Sequence, residues 1–150
     1  MLRKLFNTKD DFGLTVIRLV LGAVMFAHGA QKMLGWFGGY GFSGTMGFFE
    51  NQMHVPAPLA FLAIAAEFFG GIGLLLGLFG RVAAFGVAVN MAVAILTVHL
   101  PNGFFMNWAG TQKGEGYEYH LLVLAITAVI MVKGSGALSV DRVAARSLPG

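Results

Sequence analysis

The chain has 150 residues, of which 57% are hydrophobic and only 11% charged, and its ten Lys and Arg exceed seven Asp and Glu to leave a net charge of +3. A soluble domain carries roughly 25% charged residues and could bury only part of so much apolar surface. The composition therefore excludes an ordinary soluble fold. Dispersed basic residues argue against nucleic acid as a partner, and the absence of cysteine rules out a disulfide, a thiolate metal site or a dithiol within this chain.

Four apolar runs follow in chain order, predicting an all-α membrane protein, a four-transmembrane-helix bundle in one domain over residues 1–150. The first, about 12–33, is long enough to cross a hydrocarbon core of roughly 30 Å, with Asp10 and Asp11 suited to its first turn. It lacks a small-residue cleavage pattern and reads as a retained helix. The second, about 57–79, opens on Pro56 and Pro58, and Gly80 and Arg81 make a tight reversal. A third, about 82–99, is stopped by Pro101, and a fourth, about 117–133, ends at Lys133 and Gly134.

Positive charge sets the orientation. Arg3, Lys4, Lys9, Arg81, Lys133, Arg142 and Arg146 fall on one side of the spans and only Lys32 and Lys113 on the other. The richer side is cytoplasmic, so both termini are expected there. The two longer loops then face outward, carrying Trp36, Tyr40, Trp108 and Tyr117 where an interfacial aromatic belt lies. In the first of these loops Met46, Phe49 and Met53 recur at helical spacing, which predicts a short amphipathic helix on the membrane surface or over the bundle mouth. A glycine-rich loop without fixed structure is the alternative.

Ionisable groups inside membrane helices cost roughly 2.5–3.5 kcal/mol each near the bilayer centre, so each needs a reason. On the first helix Arg18, His28 and Lys32 share a face with Gly22 and Gly29, which points into the bundle. The glycines permit close approach of the second helix with its Gly70, Gly71, Gly73 and Gly77. Depth and side-chain lean favour a contact between His28 and Glu67, with Arg18 as the alternative partner, while Arg18 and Asn90 form a lower polar layer. Asn90 and His99 lie about 180° apart on a continuous helix, so one of them at most faces the centre squarely. His120 shares a face with Tyr117, Leu124 and Thr127. No histidine pair has a tight ligand spacing on one helix, and metal is not expected. The competing structural reading is that the polar pairs only neutralise one another and hold helix register.

The segments HGAQKMLGW, AEFFGGIGLLLGLFGR and GSGALSVDR, in this order and spacing, resemble the DoxX family of small bacterial membrane proteins. The resemblance covers nearly the whole chain. It implies a four-helix membrane bundle and a link to redox chemistry, since the family takes its name from a subunit of a thiosulfate:quinone oxidoreductase and relatives are associated with oxidative or thiol stress. It carries over Lys32, Glu67 and Arg81 as family-pattern residues. The segment GEGYEYHLLVLAI is less typical, so roles for Glu118 and His120 rest on the residues themselves.

Together these readings predict an inner-membrane, quinone-interacting oxidoreductase subunit. His28 and Glu67 are the expected catalytic residues, Lys32, His99, Tyr117 and His120 the expected ligand-binding residues, and Arg18, Asn90 and Arg81 a structural polar layer. The chain has no motif for flavin, nicotinamide or iron–sulfur binding, so a protein redox partner must deliver electrons. A non-enzymatic scaffold or assembly factor is the main alternative, and a small transporter a weaker one.

Overall fold

The computed structural model describes residues 5–147, which are helical with no strand among them. Arg3 and Lys4, counted toward orientation, lie outside the described residues. Six α-helices are present among those described: α1 (Phe12–Leu34), α2 (Gly41–Asn51), α3 (Ala57–Leu76), α4 (Gly80–Ala94), α5 (Glu118–Lys133) and α6 (Val140–Ser147). Three stretches are long and apolar enough to cross a membrane: Phe12–Leu34, Ala57–Leu76 and Gly80–Asn102.

Helix α1 begins where Asp11, in extended conformation, accepts a hydrogen bond from the Leu14 amide at 3.1 Å, and it ends at left-handed Gly35. Its packing against α3 depends on small residues. A Cβ on Gly22 would collide with the Leu74–Leu75 backbone, one on Gly29 with Phe68, and one on Gly71 with Phe26. These glycines interlock the two backbones, as expected where dispersion and close approach must replace a hydrophobic driving force.

The reversal between α3 and α4 lies three residues earlier than expected. Gly77 leaves the helix at φ 65° and Phe79 is also left-handed, whereas Gly80 and Arg81 open α4 instead of forming the turn. Asp141 supplies the reason: its carboxylate accepts from the amides of Phe79 at 2.7 Å and Gly80 at 2.9 Å. Those are orphan amides at a helix start, and they cannot go unpaired in a dry environment.

Helix α4 does not stay regular to Pro101. It passes into a π-turn at Ile95–His99 and a 3₁₀ turn at Leu100–Asn102. The predicted surface helix exists as α2, packed on α1 and α3 with Met46 and Phe49 half-buried and Thr45 buried. The loop without fixed structure is thus excluded for that segment. Many large apolar side chains face outward from the long helices, among them Leu62, Phe69, Phe85, Leu96, Leu122 and Val132. That outward face suits contact with lipid tails.

Candidate functional site

The polar residues of the helices fall into three groups. At the end of the bundle that holds the α3–α4 turn, Arg18 is 1% exposed and donates to carbonyls from all three guanidinium nitrogens: Nε to Ser135 at 2.7 Å, Nη1 to Leu74 and to Leu75 at 2.9 Å, and Nη2 to Leu138 at 2.6 Å. The carbonyls of Leu74 and Leu75 are freed at the end of α3, so Arg18 caps that helix from the side. Asp141, also 1% exposed, accepts from Ser135 Oγ at 2.6 Å in addition to the two α4 amides. Gly80 has no room for a Cβ because the Ser135 hydroxyl occupies that place. Arg81 donates to the carbonyls of Met131, Val132 and Asn7, tying α4 to the end of α5 and to the segment before α1.

The second group lies nearer the opposite end of the bundle. Glu67 on α3 is 6% exposed and accepts from Lys32 Nζ on α1 and, at 2.8 Å, from Asn90 Nδ2 on α4. One carboxylate thus joins three helices. This overturns two expectations. Glu67 pairs with Lys32 and Asn90 rather than His28, and Asn90 belongs to the Glu67 group rather than to a lower layer with Arg18. The cause is register: the Gly29–Phe68 and Gly71–Phe26 contacts set α1 against α3 so that the long lysine, one turn beyond His28, reaches the carboxylate. His28 is exposed, its ring 6.5 Å from that of Tyr119.

Beside this triad a cavity of about 290 Å³ opens between the C-terminal end of α1 and α2. Gln31, Lys32, Tyr40 and Thr45 give it polar points, and Phe48 and Phe49 give it aromatic walls. The volume is at the lower end of ligand pockets, which run from roughly 300 Å³ upward. Lys32 belongs to both the cavity wall and the Glu67 triad.

The third group is histidine-rich. The π-turn changes the phase of α4 beyond Ala94, so His99 is not simply opposite Asn90. Its ring lies 4.0 Å from that of His120 on α5, and its Nδ1 is 2.8 Å from the Glu115 carbonyl oxygen. Tyr117 stands apart, edge-to-face on Phe104 at 5.6 Å, and Glu118 holds the loop before α5 through the Met106 amide and the Trp108 indole. Among the described residues no group of three or more His, Cys, Asp or Glu could hold a metal ion.

A model of the family described as DoxX matches residues 13–100 of this chain. The chain belongs to the DoxX family. Among its DoxX-like relatives, a protein of Bacillus subtilis (strain 168) named "Putative oxidoreductase CatD" is 27% identical over 90% of this chain and 89% of its own length. "Inner membrane protein YqjF" of Escherichia coli (strain K12) is 28% identical over 89% of this chain and 92% of its own. An uncharacterized protein of Haemophilus influenzae is 30% identical over 85% and 87%. No solved structure matches this DoxX chain significantly. The matched region contains Arg18, Lys32, Glu67, Arg81, Asn90 and His99, and it stops short of α5, which carries His120, and of α6, which carries Asp141.

Sequence reasoning missed Tyr119, which stands between His28 and His120, and the cavity residues Gln31, Tyr40, Phe48 and Phe49. A signal for Asp141 was present in the segment GSGALSVDR, whose last four residues are Ser139 to Arg142. Nothing local marked the cavity, because it forms only when α2 folds back over the end of α1.

Proposed function

We propose that this chain is a multi-pass protein of the inner (plasma) membrane and the quinone-interacting subunit of an oxidoreductase linked to sulfur, thiol or oxidative-stress metabolism. The observation that carries this reading is the continuity of the Lys32–Glu67–Asn90 triad with the cavity under α2. The names carried by CatD and YqjF support the redox and inner-membrane parts of it.

The cavity residues fit a quinone head. Phe48, Phe49 and Tyr40 offer faces for a flat ring, and Lys32 with Gln31 offers donors for its oxygens. A bound quinone would supply reversible two-electron, two-proton chemistry, with a protein partner as the electron source. Lys32 places positive charge where oxygen gains negative charge on reduction. Its hydrogen bond to Glu67 links the cavity to a carboxylate that can hold or release a proton. Asn90 fixes the second carboxylate oxygen and thereby the orientation of the group.

In this arrangement α5 is the fourth crossing. Its 16 residues span about 24 Å at 1.5 Å per residue, and the segment from Gly103 to Tyr117 covers its outer end. Arg81, Lys133 and Arg142 then lie on the cytoplasmic side with both termini.

Mass spectrometry and ultraviolet–visible spectra of protein purified in mild detergent test the reading. Wild type is expected to retain a quinone and Glu67→Gln to lose it. A ligand-free wild type that rebinds no added ubiquinone analogue would sink the proposal. A second reading, a non-enzymatic scaffold, draws on the same triad as a clamp between three helices. Crosslinking that recovers a partner still active without any bound small molecule would favour it.

A further inference from the structure

We propose that Lys9, Lys133 and Arg81 form a binding site for the phosphate of an anionic phospholipid, at the end of the bundle that holds the α3–α4 turn. The site is separate from the cavity under α2 and does not depend on the reading of that cavity.

Three segments meet there: the residues before α1, the first turn of α4 and the end of α5. The backbone amide of Lys9 donates to the Lys133 carbonyl at 3.1 Å, which sets the two lysines side by side. The neighbouring Thr8 hydroxyl accepts from the Gly136 amide at 2.6 Å. Gly134, at φ 90°, lies so close to Asn7 and Thr8 that a Cβ would have no room. Arg81 completes the arrangement by donating at 2.9 Å to the carbonyls of Val132 and of Asn7, one residue before Lys133 and two before Lys9. Backbone contacts thus gather three cations before any ligand binds, and the free energy that their repulsion costs is returned by a bound anion.

The carboxylates at this end are engaged elsewhere. Asp10 pairs with Arg142 at 2.5 Å, Asp11 accepts from the Leu14 amide, and Asp141 takes the Phe79 and Gly80 amides and the Ser135 hydroxyl. Among the described residues Lys9, Lys133 and Arg81 form no salt bridge. Both lysines are exposed, and their flexible four-carbon stems let the ammonium groups converge on one phosphate.

Apolar surface adjoins the cations directly. Val132 precedes Lys133 and Val82 follows Arg81, both exposed, and exposed Phe79 packs on Phe6 with ring centroids at 4.9 Å. Free phosphate could use only the cations. A phospholipid uses both parts, its phosphate on the basic groups and its acyl chains along the outward faces of α4 and α5. A headgroup without a positive charge of its own, as in phosphatidylglycerol, suits three cations, whereas the amine of phosphatidylcholine is repelled by them.

The test uses full-length protein stripped of endogenous lipid in mild detergent and titrated with phosphatidylglycerol or with phosphatidylcholine of the same acyl chains. Native mass spectrometry counts the lipid bound. Wild type is expected to take up one phosphatidylglycerol in preference. A basic residue beside an anionic lipid is worth about fivefold in affinity, so Lys9→Gln and Lys133→Gln should each weaken binding about fivefold and the double variant about thirtyfold. Lys113→Gln, in the loop before α5, removes the same charge and is expected to change nothing. The two lysines are exposed, so these variants keep the fold, and Arg81, whose guanidinium ties three segments together, stays intact. Equal uptake of the two lipids, an unchanged double variant, or an equal loss in Lys113→Gln overturns the site. Millimolar inorganic phosphate at constant ionic strength is expected to leave the lipid bound. Displacement by it shows that the cations take free phosphate and overturns the lipid assignment.

Discussion

Arg18 illustrates what a single charged residue does inside this bundle. Its guanidinium meets carbonyl oxygens on α3 and on the segment after α5, so the charge serves as a capping group with no carboxylate bonded to it. Lysine has three donors on a point charge and cannot reproduce that planar fork. Arg18→Lys is therefore expected to lower stability by about 1–3 kcal/mol and Arg18→Met by more, read as loss of the folded fraction on heating in detergent. Glu67 makes the contrasting case. Its partners Lys32 and Asn90 come from other helices, and no spacing along α3 announces them. The sequence marks Glu67 as costly and in need of a partner, but depth and side-chain lean point to His28, with Arg18 as the alternative, and Lys32, a turn beyond His28 on the same face, is not singled out by them. Glu67→Gln is expected to leave the chain folded, since the amide still accepts from either neighbour, while the Lys32 ammonium loses its counter-charge.

At the scale of elements, the α1–α3 interface is the stiffest feature. Gly29 and Gly71 each face the partner helix's backbone with no space for a Cβ. Gly71→Val is expected to push the helices apart at a cost of about 1–3 kcal/mol, and with them the Lys32–Glu67 contact, so thermal stability and quinone retention should fall together. The tail helix α6 depends on a different device. Its Asp141 is buried against the α3–α4 turn and Arg142 pairs with Asp10 at 2.5 Å. Asp141→Asn retains one acceptor of two and weakens the bonds to Phe79, Gly80 and Ser135. Trypsin should then cut at Arg142 and Arg146 faster than in wild type, and an unchanged cleavage rate would show that α6 is held by other contacts. The boundaries of these elements were legible where a cap is local, as at Asp11 and Gly134. They were misplaced at the α3–α4 turn, where the determining group lies more than sixty residues away in Asp141.

For the molecule as a whole, the proposed four-crossing topology predicts sidedness. With no native cysteine, single cysteines introduced at Gly110 and at Arg146 in sealed spheroplasts should differ, the first labelled by an impermeant maleimide and the second protected. Labelling of both would place α5 outside the set of crossings. The exposed apolar faces of the helices and the buried polar triad suit a lipid surround, in which a polar group must find its partner inside the bundle.

By itself the sequence determined that the chain is apolar, helical and built around long spans, because the length and composition of an apolar run are one-dimensional properties that a bilayer reads directly. It also singled out the polar residues that need a reason to be in the spans. Only the tertiary structure decided how those residues pair. Glycine interlocking sets the register that gives Glu67 to Lys32, and the π-turn brings His99 onto His120. The return of α2 over α1 forms the cavity. Each of these depends on the rotation and translation of one helix against another, which packing of the assembled chain sets and no local pattern encodes.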